Sequence, residues 1–235
     1  LHVGRDTRSH SLEFSNLLIQ AAEAMAIPII NHGIVTTPML HHVVLYSNTA
    51  NGSIGPTPLA SRQGYLQQLA QAYVELDQLL VVVQPPNSGG GLPPLQVDGA
   101  CGVGYSAMVD FQTVLSQKYS SHYASRFQAR NPPSAGPLNH HCGSEHVQKQ
   151  LQPPTWYDAV AAKDTDHTYC CSVDGDADRI VFFQPSPSSC WTLLDGDKIA
   201  VLIAHFFQKM LFHGEPTEAQ SSHPLTLGVV QTAYA

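Results

Sequence analysis

The sequence predicts an α/β fold, on three observations. Apolar stretches of helical period alternate with short apolar runs of strand length, as layered α/β architectures require. A strand-like run, Leu95-Gln96-Val97, enters a glycine-rich turn, Asp98-Gly99-Ala100-Cys101-Gly102-Val103-Gly104, before the next helical stretch. Two further strand-like runs, 169–173 and 180–183, flank a short loop dense in aspartate.

Three blocks order these elements. The first covers residues 1–55. Phe14, Leu17, Leu18, Ala21, Ala22 and Met25 repeat at helical spacing after Ser11, a candidate N-cap. Ile27–Ile30 reads as a short buried strand despite Pro28. Thr37-Pro38 opens a second helix, with proline at the first helical position and Met39, Leu40, Val43 and Val44 as its apolar face.

The second block covers 56–184. It opens with a helix carrying Leu66, Leu69, Tyr73, Val74, Leu76 and Leu80. Gln84–Pro94 is rich in proline and glycine and reads as a surface loop. A helix is expected from about Ser106, and the polar stretch Tyr119–Pro137 is read as loop. Tyr169–Val173 and Ile180–Phe183 are the strands that enter and leave the acidic loop. The third block, 185–235, begins with a strand at Trp191–Leu194 and a turn and N-cap at Asp195-Gly196-Asp197. A helix from Lys198 follows, with Ile199, Ile203, Phe206, Phe207 and Met210 on one face, then a strand at Leu225–Val230.

Composition narrows the function classes. A chain of 235 residues with 43% hydrophobic and 12% charged residues has enough apolar content for one large or about two smaller folded domains. Its formal net charge is −7, and its lysines and arginines are scattered, which argues against nucleic acid and anionic membranes as partners. No run reaches the roughly 18 apolar residues of a membrane span. The five cysteines form no C-x-x-C pair, so reduced thiols and a cytoplasmic location are expected. The N-terminus shows neither initiator methionine nor signal-peptide pattern, and both ends are expected to continue in a longer protein. Nothing in the sequence defines an oligomeric state.

The chemistry concentrates in Asp174-Gly175-Asp176-Ala177-Asp178-Arg179. Three carboxylates alternate with two small residues, so a tight loop can aim all three at one point. Two such charges about 4 Å apart repel by roughly 4 kcal/mol at an effective dielectric near 20. A divalent cation offsets that repulsion, and an all-oxygen donor set favours Mg²⁺, Mn²⁺ or Ca²⁺ over zinc. An EF-hand counted from Asp174 needs glycine at its sixth position and glutamate at its twelfth; Arg179 and Pro185 stand there. A phosphatase using Asp174 as nucleophile, in an Asp-x-Asp loop after a strand, is an alternative. A plain polar turn is another. Gly99, Gly102 and Gly104 do not have G-x-G-x-x-G spacing, and the pairs His41-His42 and His140-His141 lack the spacing of helical zinc ligands. Cys170 and Cys171 alternate across a strand, so core packing is expected of both.

The stretch Cys170–Val181 closely resembles the metal loop of the phosphohexomutase superfamily. Its companions resemble segments of the eukaryotic phosphoacetylglucosamine mutases: Val3-Gly4-Arg5-Asp6-Thr7-Arg8, Thr36-Thr37-Pro38-Met39-Leu40-His41, Leu138–Gly143, Leu194–Ala200 and Gly228–Ala235, in family order. The resemblance implies phosphohexomutase-type α/β/α layered domains with mixed sheets. Residues 1–55 would be the C-terminal part of domain 1, 56–184 domain 2 with the metal loop, and 185–235 the start of domain 3. It further implies interconversion of N-acetylglucosamine 6-phosphate and 1-phosphate, on the route to UDP-N-acetylglucosamine, through a phosphoserine and a bisphosphate intermediate. Asp174, Asp176 and Asp178 would ligate Mg²⁺ beside the phosphoserine, and Arg179 would contact a phosphate or serve as a partner to an aspartate. The family's Ser-His-Asn-Pro and Asn-Gly-His segments do not occur in these 235 residues. The chain alone is therefore expected to be inactive. The alternatives within this reading are a glucose or mannose phosphohexomutase and a truncated metal-binding isoform.

Overall fold

The computed structural model describes residues 1–49, 58–83, 92–157, 169–184, 192–212 and 228. Contacts divide the chain into a unit of Leu1–Leu193 and a unit of Leu194–Ala235. The expected strand at Leu225–Val230 apart from Gly228, residues 84–91 of the proline-rich stretch and the motif after Gly228 lie outside the described residues.

The first unit begins with β1 (His2–Arg5), α1 (Ser11–Ala24) and β2 (Ile30–Ile34), the two strands pairing in parallel. The strand lies later than the expected Ile27–Ile30. Ala26 takes a left-handed conformation (φ 54°) and Ile27 donates its N–H back to the Ala22 carbonyl at 2.8 Å, closing the helix. Pro28 has no N–H to offer, so pairing starts only beyond it. Ser11 is not the N-cap either. His10 holds that position, and the Ser11 hydroxyl donates to Asp6. Of the expected apolar face of α1, Ala22 is buried, with Ser15 beside it, but the larger members are turned to solvent, Phe14 at 61% and Met25 at 69% exposed. The expected buried strand is likewise exposed at Ile27 and Ile30. A two-stranded sheet has too little surface to cover a whole helix face.

α2 (Thr37–Thr49) follows with the expected face inward, Met39 and Val43 being buried. In α3 (Arg62–Val83), Leu66, Ala70, Val74 and Asp77 are buried at spacings of four, four and three. Leu66, Ala70 and Val74 pack with Val97, Phe111, Val114, Leu115, Phe127 and Cys171 in the main core. Asp77 pairs with Arg126 and accepts the Leu92 N–H at 2.6 Å, an ion pair of which both side chains are largely buried.

A five-stranded mixed sheet carries the site. Its order is β4-β3-β5-β6-β7, from β3 (Leu95–Asp98), β4 (Phe127–Arg130), β5 (Tyr169–Val173), β6 (Ile180–Gln184) and β7 (Thr192–Leu194). β3 runs parallel to β4 and β5, and β5 antiparallel to β6. Helix α4 (Val103–Lys118) begins three residues before the expected Ser106. The stretch read as loop, 119–137, contains α5 (Ser121–Ser125), β4 and a 3₁₀ turn at Pro133–Ala135, before α6 (Ser144–Gln150). The polar sequence Phe-Gln-Ala-Arg becomes a strand because β3 offers it an edge in register. Cys170 and Cys171 do face opposite ways. Cys171 lies in the main core, and Cys170 packs with Val147, Val181 and Phe183 on the other face. Burial pushes both thiols up, that of Cys170 to about 12, so they pack as neutral groups.

In the second unit, α7 (Gly196–Phe212) starts two residues before the expected Lys198, directly after Asp195. Asp195 accepts the Lys198 N–H at 3.2 Å and pairs with the Lys198 ammonium at 3.1 Å, which holds its carboxyl below the usual range. Among the described residues, no helix is long and apolar enough to cross a membrane.

Candidate metal centre

β5 and β6 deliver the acidic loop between them, and the loop folds by its own hydrogen bonds. The Ala177 N–H donates to the Asp174 carbonyl at 3.1 Å, with Ala177 in the left-handed region (φ 57°). That turn brings the Asp178 and Arg179 N–H groups onto Asp174 Oδ1 at 3.2 and 3.1 Å. Arg179 then reaches back with Nε and Nη2 to Asp174 Oδ2, at 3.1 and 3.0 Å. Ligand oxygens of Asp174, Asp176 and Asp178 lie within 4.8 Å of one another. The structure thus brings all three aspartates to one point, and places Arg179 on Asp174 with Glu145 and Asp178 each at 3.8 Å.

The loop rests on a scaffold of close backbone contacts. The Val103 N–H, at the start of α4, donates to the Gly175 carbonyl at 3.1 Å. Leu138 covers Gly175, where an added Cβ would come within 2.9 Å of the leucine side chain. Beneath them lies Asp98, fully buried at the end of β3. One of its oxygens accepts from the Ala100 N–H and the Asn131 amide, at 3.0 and 2.8 Å. The other accepts from the Gly143 N–H and the Ser172 hydroxyl, at 2.7 and 2.8 Å. Sequence reasoning missed Asp98, which looked like part of a turn.

On the other side, α2 meets the loop. The Thr37 N–H donates to the Asp176 carbonyl at 3.0 Å and its hydroxyl to Asp176 Oδ2 at 2.5 Å. Arg8 pairs with Asp6 and stands 4.0 Å from Asp176 Oδ1. A cavity of about 350 Å³ opens here, lined by Arg5, Asp6, Arg8, His10, Thr37 and Asp176 among others.

The electrostatics fit a cation. Burial raises the Asp174 carboxyl, but the hydrogen bonds and charge of Arg179 outweigh it and hold the group below the usual range. Asp178 goes the other way, raised by burial and by the charges of Asp174 and Asp176. Arg179 thus serves chiefly Asp174, and Arg8, already paired with Asp6, stands 4.0 Å from Asp176, so the three carboxylates keep an excess of negative charge. An oxygen-only donor set with uncompensated negative charge suits a hard divalent ion. The raised value of Asp178 also sets a pH dependence. Its interactions favour the fold below the ordinary carboxylate range, and that contribution is lost as pH rises through the raised value. Asp178→Asn is therefore expected to stabilise the metal-free protein at neutral pH, with the gain vanishing in acid. Urea unfolding at both pH values measures this, and an equal gain at both would contradict it.

Comparison with known proteins agrees with this geometry. Residues 1–54 match the family described as phosphoglucomutase/phosphomannomutase, alpha/beta/alpha domain I. A mixed sheet and the acidic loop accompany that match. Over nearly its whole length the chain is similar to phosphoacetylglucosamine mutases. It is 36% identical to the Homo sapiens enzyme, over 99% of this chain and 38% of the relative. It is 33% identical to that of Saccharomyces cerevisiae, over 99% and 40%. A crystal structure of an N-acetylglucosamine-phosphate mutase in a substrate complex superposes with a TM-score of 0.75 at 27% identity, covering 100% of this chain and 39% of the other. The Aspergillus fumigatus N-acetylphosphoglucosamine mutase in complex with GlcNAc-6P and magnesium gives 0.68 at 27% identity, over 90% and 39%. The chain thus spans about two fifths of the length of the relatives it matches.

Proposed function

We propose that this chain forms the metal-binding part of an enzyme that interconverts N-acetylglucosamine 6-phosphate and N-acetylglucosamine 1-phosphate. The observation that carries the reading is the convergence of Asp174, Asp176 and Asp178 within 4.8 Å. Similarity to phosphoacetylglucosamine mutases supports the substrate class. In this reading residues 1–55 complete domain 1, 56–184 form domain 2 and 185–235 begin domain 3.

The three aspartates hold Mg²⁺, the choice that their oxygen donors and the magnesium complex of the Aspergillus fumigatus relative favour. When bound, the ion neutralises charge on a phosphoryl group and holds its donor in line. The chain's own residues prepare that site. Asp174 is kept ionised by Arg179, and the loop is aimed by the Gly175 carbonyl on α4. The Arg179 side chain, 55% exposed, presents a permanent cation at the rim and contacts a phosphate oxygen there. A phosphatase reading with Asp174 as nucleophile fits poorly, since Asp174 is only 2% exposed and both its oxygens accept hydrogen bonds.

Isothermal titration of the protein with Mg²⁺ tests the reading. Saturable binding is expected, and Asp174→Asn together with Asp178→Asn is expected to abolish it. Unchanged binding in the double variant would refute the site. Phosphorus NMR of N-acetylglucosamine 6-phosphate, with a protein that also carries the phosphoserine loop, reads the activity.

A further inference from the structure

The three carboxylates are not oriented alike. Asp174 is held from within the loop by two backbone N–H groups and Arg179. Asp176 instead takes its hydrogen bond from Thr37, 139 positions away in the chain. Thr37 makes two contacts there, its N–H to the Asp176 carbonyl and its hydroxyl to Asp176 Oδ2.

The preceding residue explains why Thr37 is available. Thr36 is buried, and its hydroxyl accepts the Met39 N–H at 3.2 Å while its carbonyl accepts the Leu40 N–H at 3.1 Å. Thr36 is thus the N-cap of α2. The Thr37 N–H is one of the donors at the helix start with no partner inside the helix, and its hydroxyl has no capping duty. Both reach the metal loop instead. The two consecutive threonines divide the work, one starting the helix and one holding the loop.

We infer that Thr37 is a positioning residue for the metal centre, fixing the rotamer of Asp176 so that one oxygen is held by the hydroxyl and the carboxylate faces Asp174 and Asp178. This rests on the metal reading above. It makes cation binding depend on how α2 docks on the loop, which couples the first sequence block to the second. Groups that orient a ligand from behind typically change metal affinity about 10- to 100-fold when removed.

The test is Mn²⁺ binding to the full chain, followed by electron paramagnetic resonance of the unbound ion, with urea unfolding on the same samples. Thr37→Val keeps the shape and removes the hydroxyl. It is expected to weaken Mn²⁺ binding about tenfold or more while leaving the unfolding midpoint nearly unchanged, since Thr37 is exposed. Thr37→Ser, which restores a hydroxyl, is expected to bind within about twofold of the parent. The inference is overturned if Thr37→Val binds like the parent, or if Thr37→Ser weakens binding as much as valine does. Asp174→Asn with Asp178→Asn separates the two readings. If that pair loses Mn²⁺ and Thr37→Val does not, only the role of Thr37 fails; if the pair also binds normally, the metal reading itself fails.

Discussion

Asp98→Ala is expected to lose about 4 kcal/mol or more of stability, enough to unfold much of the Leu1–Leu193 unit. Asp98 has no exposed surface, and its carboxylate accepts from Ala100, Asn131, Gly143 and Ser172. Each buried donor left without an acceptor costs about 1–3 kcal/mol, and truncation strands three of them together with the half-buried Asn131 amide. Asp98→Asn is expected to be milder, for a specific reason. The Ser172 hydroxyl can reverse and accept from an amide, and the Asn131 amide can turn over. In either orientation of the new side chain, a single backbone N–H, that of Gly143 or Ala100, is left facing it. Urea unfolding followed by circular dichroism should rank the parent, Asp98→Asn and Asp98→Ala in that order. A shift of the alanine variant no larger than that of the asparagine variant would refute the account.

Gly102→Ala is expected to strike the acidic loop from behind. The Gly102 backbone (φ −115°) suits any residue, so the need for glycine is one of space alone. An added Cβ would lie 2.4 Å from the Gly175 carbonyl oxygen and 2.9 Å from both the Gly175 Cα and the Leu138 side chain. Backbone cannot yield as a flexible side chain does. The acidic loop must lift away from α4, and the Val103 to Gly175 hydrogen bond is lost with it. Overpacking of this kind costs about 1–3 kcal/mol; on the proposed reading of the aspartates as Mg²⁺ ligands, the displaced loop is expected to bind the ion at least about tenfold more weakly. Gly136→Ala serves as the control, because its Cβ would meet nothing within 4 Å. Calorimetric Mg²⁺ titration of both variants checks the result. Equal affinities for the two would show that the approach of the loop to α4 does not matter.

Much of the site was legible before the fold was known, because its signals are local. The strands on either side of the acidic loop were expected at 169–173 and 180–183 and are found at 169–173 and 180–184. Short apolar runs bounded by a polar turn leave little choice of boundary. The crowding of three carboxylates in five residues announced a demand for positive charge, and the geometry brings them together. Where the reading failed, a distant partner decided the outcome. α4 begins at Val103 rather than Ser106, its Val103 N–H bonded to Gly175 across the sheet. β4 forms from a polar sequence that finds its partners on β3. The apolar stripe of α1 has clear periodicity, yet it lies exposed beside a two-stranded sheet.

The sequence by itself determined the α/β class and the acidic loop with its three crowded carboxylates. Periodicity, turn chemistry and charge density act over about ten residues or fewer and are written in the order of the amino acids. Only the tertiary structure decided what holds two of the three carboxylates, Arg179 for Asp174 and Thr37 for Asp176, and what ties the strand and turns beneath them, Asp98. Hydrogen bonds of that kind depend on atoms meeting to within a few tenths of an ångström across as many as 139 positions of chain. No local pattern encodes such a meeting, because it exists only once the sheet and helices have packed.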